Sequence, residues 1–111
     1  MKDRITLFSL VRPDINVRIE LYFDESGQLI LEGYDMGKTV EEIWGDADYE
    51  YSHIVPADEV DKFYSLLDLP KNDRKTLLRT LRKIFGDISA YTLFGEFMDA
   101  HGVKYTSFTW A

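Results

Sequence analysis

Along the chain, hydrophobic and polar residues first alternate with a period of two and later recur with helical spacing. From Ile15 to Phe23 the alternation is clean. Ile15, Val17, Ile19, Leu21 and Phe23 fall on one side and Asn16, Arg18, Glu20 and Tyr22 on the other. This predicts a strand with one wet face. Arg4 to Arg12 also alternates, but with apolar residues on both sides, and Pro13-Asp14 separates the two as a turn signal. Asp24-Glu25-Ser26-Gly27 closes a hairpin, and Gln28 to Glu32 returns as a third strand. Tyr49 to Val55 alternates again and predicts a fourth strand, stopped by Pro56.

After Pro56 the spacing changes. Val60, Phe63, Tyr64 and Leu67 lie at i, i+3, i+4 and i+7, behind a proline and two acids suited to a helix start. Pro70 breaks that helix and Asn72 is a good cap for the next. There Leu77, Leu78, Leu81, Ile84 and Phe85 form one stripe, with Lys71, Lys75, Arg79, Arg82 and Lys83 on the other side. A third helix carries Leu93, Phe94, Phe97 and Met98 and ends at Gly102. Val103 to Trp110 is rich in β-branched and aromatic residues and predicts a last strand. Thr39 to Trp44 has room for a single capped helical turn. The order β-β-β-β-α-α-α-β predicts a single α+β domain over residues 1–111. Its antiparallel sheet has about five strands, with the helices on one face.

Charge adds what the pattern does not. The formal net charge is −7, which argues against nucleic acid as a partner, because phosphate binding needs a basic surface. The sign is unevenly spread. Residues 32–61 hold one basic and ten acidic groups, whereas residues 62–111 hold eight basic and five acidic ones. The chain contains no cysteine, so thiol chemistry and disulfides are excluded. No apolar run approaches the roughly 20 residues of a membrane span, and no signal-peptide core follows Met1, so a cytoplasmic protein is expected.

The acids concentrate between Gly33 and Tyr51, where Asp35, Glu41, Glu42, Asp46, Asp48 and Glu50 alternate with Tyr34, Trp44, Tyr49 and Tyr51. The sharpest motif is Asp46-x-Asp48-x-Glu50. Carboxylates at that spacing on a loop can converge on a hard cation, with Asp35 as a further oxygen. An EF-hand is not matched, since the sixth loop position is Tyr51 and the twelfth Ala57. His53 and His101 stand 48 residues apart and read as structural, and the glycines fit no nucleotide-binding motif. The expected function is therefore non-enzymatic and needs no cofactor: an acidic domain that binds a basic protein. Asp35, Glu41, Glu42, Asp46, Asp48 and Glu50 would steer the partner, and Trp44, Tyr49 and Tyr51 would make contact. An immunity-type inhibitor of a basic toxin has this profile. The alternative is a divalent-metal enzyme or module using Asp35, Asp46, Asp48 and Glu50. A third reading is weak self-association of the acidic segment with the basic helix.

Gly33-Tyr-Asp-Met-Gly37, Trp44-Gly-Asp-Ala-Asp-Tyr-Glu-Tyr51 and Val55-Pro56 together resemble a group of small bacterial proteins with no known activity. Their pattern is Gly-x-Asp-Leu-Gly, then Gly-Asp-Ser-Asp-Tyr-Glu-Tyr, then a helix opened by Val-Pro. Gly102-Val-Lys-Tyr105 and Phe108-Thr-Trp110 are similar to the group's last strand. Met36 and Ala47 depart from it. The resemblance covers most of the chain and implies a bacterial origin and the same small domain, but no mechanism.

Overall fold

Five strands hydrogen-bond in the order in which the chain makes them. A computed structural model describes residues 3–38, 42 and 48–110, with Trp110 described by its backbone alone. The strands are β1 (Arg4–Arg12), β2 (Ile15–Phe23), β3 (Leu29–Met36), β4 (Asp48–Val55) and β5 (Thr106–Trp110). They pair antiparallel, each with its sequence neighbour. Between β4 and β5 run α1 (Ala57–Leu66), α2 (Arg74–Phe85) and α3 (Ala90–His101). This is the expected α+β order, with the last strand returning to the sheet beside the fourth.

Strand parity sorts side chains onto two faces. Val17, Ile19, Leu21, Leu29, Leu31, Tyr51 and Val55 point toward the helices and join one core with Val60, Phe63, Leu77, Leu81, Phe94 and Met98. Ile19, Leu21, Leu31, Phe63 and Leu77 are fully excluded from water, each contributing about 1.5–3 kcal/mol by burial. Among the described residues α1, α2 and α3 all pack on that side, and the other face of the sheet is open. Arg18, Glu32 and Asp48 on it are exposed.

The two-sided apolar pattern of β1 has a simple cause. Its register with β2 shifts between Thr6 and Phe8, so a bulge lets Leu7 and then Phe8 and Leu10 pack on the helix side. The second helix is capped one residue later than the sequence suggests. Asp73 is the N-cap, its side chain accepting from the Thr76 N–H, while Asn72 takes a positive φ of 65° in the preceding turn. Ile84, at the flank of the α2 stripe, is 47% exposed and lies outside the core. No helix among the described residues is long and apolar enough to cross a membrane.

Candidate functional site

Of the nine residues singled out from the sequence, the five that lie in β3 and β4 are divided between the two faces of the sheet. Glu41, Trp44 and Asp46 lie outside the described residues. Glu42 is exposed. The other five divide by strand parity, because β3 continues to Met36 and pairs with β4 along its whole length. Asp35 stands opposite Tyr49 and Gly33 opposite Tyr51, all on the helix side. Asp48 stands opposite Met36 and Glu50 opposite Tyr34, on the open face.

The helix-side group is built around a missing side chain. A Cβ on Gly33 would lie 2.6 Å from Tyr51 Cδ2 and closer still to Cε2 and Cζ, so the Tyr51 ring rests directly on the Gly33 backbone. In that position the Tyr51 hydroxyl donates to Asp35 Oδ1 at 2.8 Å. Burial pushes the Asp35 carboxyl above its usual range, opposed by the Tyr51 hydrogen bond. Burial, then the neighbouring Asp35, pushes the Tyr51 phenol far up, so it remains a donor. Tyr49 at 5.6 Å and Tyr91 at 4.9 Å flank the ring.

Next along β4, His53 is only 5% exposed and its ring stacks on Tyr91 at 3.8 Å, nearly parallel. Its Nε2 lies 2.8 Å from the Tyr91 carbonyl oxygen and its Nδ1 2.6 Å from Ser107 Oγ. A carbonyl only accepts, so Nε2 carries the hydrogen, and the neutral ring accepts the Ser107 hydroxyl at Nδ1. Burial lowers the His53 pKa, against the raising influence of the Tyr91 carbonyl and Asp99. Gly95 in α3 makes room, since a Cβ there would sit 3.1 Å from His53 Nε2. Ser107 is the cross-strand neighbour of His53. The pair fastens β5 to β4 and both to α3. No buried polar side-chain atom among the described residues lacks a hydrogen-bond partner.

The open face is organised differently. Arg4 and Arg18 both converge on Glu20, the latter at 2.8 Å, and Arg4 also lies 4.0 Å from the Tyr22 ring centre. Burial works to raise the Glu20 pKa, but Arg18 and Arg4 outweigh it and hold the carboxylate below its usual range. Both cations of β1 and β2 on this face are thus spent on one acid. Toward β4 the balance reverses. Glu32 accepts only the Tyr22 hydroxyl, and neither Glu32, Asp48 nor Glu50 has an ion-pair partner among the described residues. Tyr34 stands between them, its phenol pKa raised by desolvation and then by Asp48, to which it hydrogen-bonds, and by Glu50. A shallow depression of about 110 Å³ opens between Glu32, Tyr34, Glu50 and Ser52. Phe108, on the neighbouring strand opposite Ser52, is 50% exposed.

This parity bears on the metal alternative. Asp35 is on the opposite side of the sheet from Asp48 and Glu50, so these three carboxylates do not converge on one ion. No group of three or more metal-ligating side chains occurs among the described residues. Tyr34, one of the aromatics of the acidic segment, pairs with Glu50, and Glu32 joins the same patch although the sequence does not single it out, because only the β3–β4 register places it there. No protein-family model matches the chain, and comparisons with curated proteins and with solved structures also give no match.

Proposed function

We propose that this chain is a small non-enzymatic protein-binding domain, active in the bacterial cytoplasm, whose open sheet face receives a basic protein. One observation carries the reading: Glu32, Asp48 and Glu50 line one side of the face turned away from the helices, and among the described residues no cation pairs with them. A partner's lysine or arginine would supply that cation, seated in the depression walled by Tyr34. Tyr34 and Tyr22 add the amphipathic area typical of contact residues, and unneutralised charge speeds encounter. An immunity-like inhibitor of a basic toxin fits this chemistry.

The test uses the folded chain as bait in extracts of its native host. Three baits are compared: wild type, the triple variant Glu32→Gln/Asp48→Asn/Glu50→Gln, and a control with Asp58→Asn/Asp61→Asn in α1. The proposal expects a basic protein held by wild type and control and lost from the triple variant. Retention of that protein by all three baits, or recovery of acidic proteins only, would remove it.

A further inference from the structure

The two edges of the sheet are not treated alike. β1 is interrupted by its bulge between Thr6 and Phe8, ends in the charged Arg4 and Arg12, and has Pro13 directly behind it. Bulges, charges and prolines are the usual devices against strand addition. β5, at the other edge, has none of them. Its pairing with β4 runs without a shift from Ile54↔Thr106 to Glu50↔Trp110, and its five residues include no charge and no proline. Thr106, Ser107, Phe108 and Thr109 are all exposed. The outer edge of this strand offers a row of main-chain donors and acceptors with no neighbouring strand among the described residues. The strand is also held still, through the 2.6 Å contact of Ser107 with His53.

We propose that the β5 edge pairs antiparallel with β5 of a second copy, about a two-fold axis through Phe108. The occupant follows from the strand itself. Centred on residue 108, self-pairing sets Phe108 against Phe108 of the second copy and Ser107 against its Thr109. No charge opposes a like charge, and the half-exposed phenylalanine is covered by its own equivalent. The two side chains point the same way, so the axis is normal to the sheet. The dimer is a continuous ten-stranded sheet whose two acidic open faces lie side by side. One short strand pair buries a small area, so the dimer is weak, with Kd between about 1 μM and 1 mM. Each copy carries −7, and salt therefore strengthens the dimer by screening repulsion. Association of the acidic face with the basic α2 would show the opposite salt dependence.

Cysteine cross-linking reads the register directly, since the chain has no cysteine of its own. Across an antiparallel pair the Cα atoms are about 4.5–5.5 Å apart, within the span of a disulfide. F108C is expected to oxidise to a covalent dimer at least ten times faster than T106C, whose equivalents lie more than about 13 Å apart along the strands. Sedimentation equilibrium is expected to show a monomer–dimer equilibrium for wild type that shifts toward dimer in high salt. F108K, at a half-exposed position, is expected to be a folded monomer. Equal cross-linking of F108C and T106C overturns the proposal, as does a dimer that survives F108K. So does a wild-type monomer accompanied by no F108C dimer. If F108K fails to fold, the cross-linking comparison alone decides.

Discussion

Gly33→Ala changes one hydrogen to a methyl group, and the structure says where the methyl goes. It would enter the Tyr51 ring, 2.6 Å from Cδ2 and nearer to two further ring atoms. Carbon atoms rest at about 3.5–4.0 Å, so the ring must retreat by more than an ångström. It cannot do so quietly, because Tyr49 and Tyr91 flank it at 5.6 and 4.9 Å and its hydroxyl is bound to Asp35. Overpacking of this kind costs about 1–3 kcal/mol. Loss of the hydrogen bond to Asp35 adds about 1–2 kcal/mol, taken at the low end because the carboxylate is only half-buried. Alanine recovers about 0.5–1 kcal/mol through its smaller loss of backbone entropy. The net destabilisation is about 1–4 kcal/mol, a fall in Tm of roughly 4–16 °C for a chain of this length. A double-mutant cycle with Tyr51→Val, followed by thermal and urea unfolding, isolates the cause. Without the ring, Gly33→Ala should cost nothing or stabilise by about 0.5 kcal/mol, a coupling of about 1 kcal/mol or more. An equal cost in both backgrounds would refute the reasoning.

Three further outcomes follow from the same contacts. The folded-state pKa of Asp35 is raised, so its carboxyl favours the fold below the unfolded value of 3.8 and opposes it as pH rises through the folded value. Asp35→Asn should therefore match or exceed wild-type stability at pH 7 and lose that advantage near pH 3.5, as read by urea midpoints. His53 has the opposite sign, its folded pKa being depressed below 6.5. Its contribution is intact above pH 6.5 and is lost as pH falls toward the folded value, because the unfolded imidazole takes the proton first. The stability gap between wild type and His53→Asn should accordingly narrow between pH 7.5 and 5. Asp73→Ala removes the acceptor for the Thr76 N–H and should cost about 1 kcal/mol by calorimetry, whereas Asn72→Gly, which keeps the positive φ but removes the side chain, should cost almost nothing.

Periodicity made the element order legible, since β2 and the three helices each repeat cleanly on one side. Boundaries and caps depended on geometry that short patterns do not encode. Gly33 and Asp35 look like loop residues, yet they belong to β3, because Tyr51 fills the space over the glycine and donates to the aspartate. The acidic motif shows the same dependence. Asp48 and Glu50 share a face because both lie in β4 rather than on a loop, and only the β3–β4 register shows that Glu32 joins them and Asp35 does not. The Ser107–His53 contact spans 54 residues and rests on the pairing of β4 with β5. No local pattern foretells it. The mixed pattern of β1 did contain a signal, because apolar residues on both sides of an edge strand are what a bulge produces.

The measurement closest to the central claim is the association rate of the domain with its captured basic partner, followed by stopped flow over a series of ionic strengths. If Glu32, Asp48 and Glu50 draw that partner to the open face, the wild-type rate falls steeply with salt. Glu32→Gln/Asp48→Asn/Glu50→Gln then starts at least about tenfold slower and stays nearly flat. Superimposable salt profiles for the two proteins would contradict the account.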